Sequence, residues 1–84
     1  MNQYRTLINK LFDRAKFQRA NYEILVKANF RVFQPLVYEL LTNPDAGIRE
    51  ACAEILGERR SSKAIPFLIK AMTDECLYVR HDAF

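Results

Sequence analysis

The 84-residue chain has no tryptophan, two glycines, three prolines, two cysteines and one histidine, and each scarcity closes a class of protein. Cys52 and Cys76 stand 24 residues apart with no C-x-x-C pair, and His81 is alone. Neither a disulfide framework nor a four-ligand zinc site can be assembled from that set, so no metal site is expected and a reducing setting fits best. No run of 18 apolar residues exists, and the opening stretch MNQYRTLINKLFDRAKF mixes charges into its apolar residues, where a signal peptide would run unbroken. A soluble chain of the cytoplasm with no membrane partner is the expectation. No glycine-rich phosphate loop, Ser-His-Asp set or carboxylate pair at working spacing is present, and no cofactor is expected.

What the chain does have is apolar surface. Half of its residues are hydrophobic and ten are aromatic, which is the composition of a folded chain. At this length one small domain would bury roughly 60–65% of its unfolded surface, a marginal core. The apolar residues recur at helical spacing throughout, with no alternation long enough for a strand. Tyr4, Leu7, Ile8, Leu11, Phe12 and Ala15 predict an amphipathic helix over about 2–16. A second apolar set runs from Phe17 through Tyr22, Ile24, Leu25, Val26 and Ala28 to Phe30. Pro35 belongs in the first turn of a third helix carrying Leu36, Val37, Leu40 and Leu41. Asp45, in a turn spanning 43–47, is placed to cap a fourth helix with Ile48, Ala51, Cys52, Ile55 and Leu56 inward, which stops at Gly57. Ser61 or Ser62 caps a fifth helix with Pro66 in its first turn, and a sixth begins near Leu77.

These helices repeat. Pro35 and Pro66, Thr42 and Thr73, and Arg49 and Arg80 are each separated by 31 residues. In the same register Leu36 matches Phe67, Val37 matches Leu68, Leu41 matches Met72, and Ile48 matches Val79. One further step back lays Phe17, Ala20, Glu23, Ile24 and Leu25 over Ile48, Ala51, Glu54, Ile55 and Leu56. A fixed period in this range marks a solenoid, so the reading is an all-α superhelix of about three two-helix units, over 1–30, 31–60 and 61–84. The third unit is incomplete, because its equivalents of Ile55, Leu56 and Gly57 would fall beyond Phe84. Either the chain is a piece of a longer array, or its open end, with Val79, Ala83 and Phe84, is covered by a partner or by self-association with a second copy.

The segment Ile48-Arg49-Glu50-Ala51-Cys52-Ala53-Glu54-Ile55-Leu56-Gly57, with Ala64-Ile65-Pro66-Phe67-Leu68 and Asp74 through Val79-Arg80, resembles the HEAT-like repeat of the phycocyanobilin (PBS) lyase type. The likeness is carried by 35–84 and is faint over 1–34. It implies an α-α superhelix in which an acidic residue closing the first helix of a unit pairs with the Arg six positions on. Asp74 and Arg80 fit that pattern, whereas Asn43 opposite Arg49 offers only a neutral hydrogen bond. Arg49, Asp74 and Arg80 are thus read as a structural ladder. The resemblance implies a protein-binding scaffold whose second helices line a concave surface. The enzyme alternative it carries is part of a bilin lyase or phycobilisome-associated chromophore-handling subunit, with a bilin as ligand.

From position within the helices, Glu50, Glu54, Tyr78 and His81 are the candidate partner-binding residues of that surface. Charge is uneven: seven basic residues against two acidic give +5 over 1–35, and six against eight give −2 over 36–84. Arg5, Lys10, Arg14, Lys16 and Arg19 therefore form a candidate basic docking end for an acidic partner. A protein fits better than a nucleic acid, since no basic motif interleaved with aromatics is present. Catalysis finds no support: His81 and Asp82 are adjacent and so point about 100° apart on a helix. Cys52, on an apolar face, reads as a small buried hydrophobe rather than a nucleophile.

Overall fold

A computed structural model describes residues 3–60 and 62–73. Helix α1 (Gln3–Asn9) leads into a two-stranded hairpin, β1 (Phe12–Asp13) and β2 (Lys16–Phe17), followed by α2 (Arg19–Lys27). A 3-10 turn at Phe30–Val32 then opens α3 (Phe33–Thr42), which is followed by α4 (Ala46–Glu58), a second 3-10 turn at Ser62–Ala64, and α5 (Ile65–Ala71). First helices stack on first helices, α1 on α3 and α3 on α5, and α2 stacks on α4 in a second layer. Within each unit the two layers close on each other, α1 on α2 and α3 on α4. This is the two-layer arrangement of a helical repeat.

The core lies between the layers. Ile8, Leu11, Leu25, Val32, Leu36, Leu40, Cys52, Ile55 and Leu56 are fully buried there. Ala51 and Ala53 are buried as well, and their short side chains let α4 lie close against its neighbours. Asp45 caps α4 as its position requires, its Oδ1 accepting from the Gly47 amide at 2.8 Å. Pro35 and Pro66 both fall in first turns. The rings of Phe33 and Phe67 meet edge to face across α3 and α5 with centroids 6.1 Å apart.

Four expectations from the sequence are corrected. The helix over 2–16 ends at Asn9, and a hairpin occupies what would have been its second half. The hairpin pairs Phe12 with Phe17 and Asp13 with Lys16, so both phenylalanines lie on one face. Tyr22 joins them, with Phe12–Phe17 centroids at 5.7 Å and Phe17–Tyr22 at 5.5 Å. A straight helix would have carried Phe12 away from this cluster. Packing of three rings outweighs local helical preference. The connection is the two-residue turn Arg14-Ala15, both at positive φ (54° and 67°), a geometry that Asn-Gly usually supplies. Neither residue announces a turn, which is why the hairpin is invisible to composition.

The second correction concerns Gly57. Helix α4 runs through it to Glu58, and the left-handed residue is Arg60, with φ of 52°. The continuation through Gly57 and Glu58 brings Arg59 to the end of α2. Third, Ala64 stands at the N-cap of α5 with no side-chain cap, and Ser62 lies within the preceding 3-10 turn; Ser61 lies outside the described residues. Fourth, overlaying the first unit on the second holds at Leu25, which is buried like Leu56, and fails at Ile24, which is 51% exposed while Ile55 is fully buried. The sixth helix lies outside the described residues.

Candidate functional site

The layer of second helices carries a groove of about 490 Å³ between α2 and α4, closed at one end by the hairpin. Its α4 wall presents Glu50, Glu54 and Glu58, and its α2 wall presents Arg19, Tyr22 and Glu23. Spacing of four residues puts the three α4 carboxylates on one helix face. Like charges at that spacing cost the helix a few tenths of a kcal/mol per pair, so the row is not there to stabilise α4. Phe12 and Phe17 line the hairpin end. The groove is thus acidic along one wall and aromatic at one end.

Its geometry is held from below. The Tyr22 hydroxyl donates to Glu54 Oε1 at 3.0 Å, tying the two walls together. Burial raises the Tyr22 phenol above its ordinary range, and the Glu54 carboxylate accepting its proton adds to the shift. Tyr22 therefore stays neutral and a donor at physiological pH. Phe12 packs against the start of α4, where a Cβ on Gly47 would come within 3.6 Å of its ring and 3.2 Å of Asp45 Oδ1. The ring would meet that Cβ at an ordinary contact distance, so it is the Asp45 cap for which glycine at 47 leaves room. Arg19 reaches Glu23 at 3.6 Å across an exposed i, i+4 pair, a weak link in water.

Of the residues predicted for the concave surface, Glu50 and Glu54 stand together on this groove; Tyr78 and His81 lie outside the described residues. The five residues of the basic end are dispersed. Arg19 is on the groove wall, Arg14 is in the hairpin turn, Lys16 is on β2, and Lys10 follows α1. Arg5 is turned toward the next unit: its Nε donates to Glu39 Oε1 at 3.2 Å and its guanidinium lies 4.8 Å from the Tyr38 ring centre. Of the structural ladder, Arg49 donates from Nη1 to the Asn43 carbonyl at 2.8 Å, while Asp74 and Arg80 lie outside the described residues.

Two polar devices went unread in the sequence. Glu39 is 3% exposed, and besides Arg5 it takes a hydrogen bond from Asn43 Nδ2 at 2.7 Å. The same Nδ2 reaches Asn9 Oδ1 at 2.9 Å, and Asn43 Oδ1 accepts from the Asp45 amide at 2.8 Å. This network binds α1 to the end of α3. Its one signal was a carboxylate set among the apolar positions Leu36, Val37 and Leu40. The second device is Arg59, whose Nη1 lies 3.1 Å from the Leu25 carbonyl, 2.7 Å from Val26 and 2.6 Å from Ala28, with Nη2 3.2 Å from Asn29. It meets the carbonyls of Leu25 and Val26 in the last turn of α2 and those of Ala28 and Asn29 just after it, the last of which also accepts from the Val32 amide, and puts a cation at that helix's negative pole.

No nucleophile faces the groove among the described residues. Cys52 is buried, and burial, reinforced by the nearby Glu39 carboxylate, pushes its thiol above the ordinary range. Among the described residues no cluster of His, Cys, Asp or Glu could hold a metal ion, and no helix is long and apolar enough to cross a membrane. The family model for HEAT repeats matches residues 6–84. No curated protein and no solved structure matches the chain.

Proposed function

Because the chain belongs to the HEAT repeats family, whose members are generally protein-interaction scaffolds, we propose that it binds a segment of a partner protein in the groove between α2 and α4. The observation that carries this reading is the acidic row Glu50, Glu54 and Glu58 facing a cleft that ends in Phe12 and Phe17. Such a cleft suits a basic segment with an apolar or aromatic anchor: Lys or Arg along the carboxylates, the anchor against the rings. The carboxylates also bear on the bilin alternative. An open-chain tetrapyrrole carries propionate groups, which this wall would repel, and that favours the scaffold reading.

Fluorescence anisotropy with a labelled Lys-rich peptide bearing one Leu tests it. The Glu54→Gln/Glu58→Gln variant removes two charges, while the amide oxygen it places at position 54 can still accept from Tyr22. Saturable binding that weakens with salt and falls about tenfold in the variant is the expected result. No saturable binding at low salt, undiminished binding by the variant, or a visible absorbance shift on adding a bilin would each overturn the reading.

A further inference from the structure

A second surface, chemically opposite to the groove, lies where α2 and α4 end. Phe30, in the 3-10 turn after α2, is 79% exposed, and it borders a hollow of about 600 Å³ together with Phe33, Arg59, Arg60 and Lys63. No carboxylate lines that hollow among the described residues. Arg31 adds a further cation, its guanidinium 5.9 Å from the Phe30 ring centre. None of Arg31, Arg60 and Lys63 pairs with a carboxylate among the described residues.

A lone exposed phenylalanine is ordinary. This one is held in place. Asn29 Oδ1 accepts from the Arg31 amide at 2.9 Å, capping the turn that bears it, and Arg59 fixes the carbonyls of Ala28 and Asn29 immediately before it. Across the hollow, Arg60 takes a left-handed φ of 52°, a conformation costly for a side-chain-bearing residue at a helix end where glycine is the usual occupant. Arg60 thus holds a strained backbone position on the same hollow as the Phe30 ring and Lys63, and strain of this kind gathers at functional sites.

We propose that this end of the repeat is a second docking surface, taking an acidic segment of a partner protein with an aliphatic side chain seated against Phe30 and Phe33. Its carboxylates meet Arg31, Arg60 and Lys63, while Arg59, engaged with the α2 carbonyls, contributes charge alone. A protein segment fits better than a nucleic acid. The cations surround one hollow large enough for a side chain, with a single projecting ring, and form no track along which successive phosphates and bases could lie. This surface is independent of the α2/α4 groove and calls for a ligand of opposite charge.

The test uses the full chain and a fluorescein-labelled peptide of Asp and Glu residues around one central Leu, followed by anisotropy at low and moderate salt. Saturable binding is expected, weakened about tenfold or more by Phe30→Ala and by Lys63→Glu. Arg60→Gly should weaken binding while raising the melting temperature, which separates lost contact from lost fold. Glu54→Gln/Glu58→Gln should bind this peptide as well as the parent chain does, so failure here and failure of the groove are told apart. The proposal is overturned by no saturable binding at low salt, by undiminished binding in Phe30→Ala, by loss of binding in the groove variant, or by a single-stranded oligothymidylate binding more tightly than the peptide.

Discussion

The first unit, α1 through α2, and the second, α3 through α4, follow the same plan and are stabilised in different ways. In the second, Asp45 caps a second helix of 13 residues whose inward face is all aliphatic, Ala or Cys. In the first, the second helix has nine residues, no side-chain cap at Gln18, and a hairpin in place of the connecting turn. What the first unit lacks, the second supplies from outside: Arg59 closes the end of α2, while Glu39 holds α1 at Arg5 and Asn43 holds it at Asn9. Repeat proteins are stabilised by intrinsic terms and by interfaces, and the weaker unit here depends on the interface.

Removing the interface device should have the largest effect. Arg59→Ala leaves the last carbonyls of α2 unmet and is expected to cost about 2–3 kcal/mol in urea unfolding. Arg59→Lys should recover little, because an ammonium cannot span four carbonyls as a guanidinium fork does. The acidic network follows: Glu39→Ala removes one of the two acceptors of the buried Asn43 Nδ2, leaving Asn9, and is expected to cost about 1–2 kcal/mol, the half-exposed Arg5 turning to water. Both losses should appear as faster amide exchange in α1 and α2 than in α3 and α4, and equal acceleration in the two units would erase the contrast between them. Strengthening the first unit from within should work in the other direction. Arg14→Asn/Ala15→Gly gives the hairpin the residues its positive φ angles favour and should add about 1 kcal/mol. Gly57→Ala, at a helical site where a Cβ meets nothing within 4 Å, should add about 0.5–1 kcal/mol in the second unit. A loss there would mean that Gly57 terminates α4 after all. Smallest in energy, Cys52 in the native chain at pH 8 should resist a thiol reagent until unfolding exposes it, as residue-resolved mass mapping would show.

The legible part of this molecule is the part governed by period and by local backbone chemistry. The 31-residue spacing of Pro35 with Pro66 and Arg49 with Arg80, the helix faces of α3 and α4, the small residues at 51–53 and the Asp45 cap could all be read in order along the chain. Of the candidate site, Glu50 and Glu54 were within reach, because a helix whose apolar face is known has a determined outer face. Glu58 and the aromatic end of the groove were not. Phe12 and Phe17 looked like members of two helical stripes, and only their meeting with Tyr22 folds the chain between them into a hairpin.

The same division runs through the polar residues. Which residues face outward on a regular helix follows from a repeat of 3.6 residues and needs no partner to define it. Where Arg59 points, why Glu39 is buried, and why Arg60 rather than Gly57 takes the left-handed position depend on partners about 30 residues distant or on the chain's need to reach them. Periodicity is a property of neighbours in sequence and survives in the bare string of residues. Charge pairing and capping between units are properties of neighbours in space, and they came into existence only when one repeat was laid against the next.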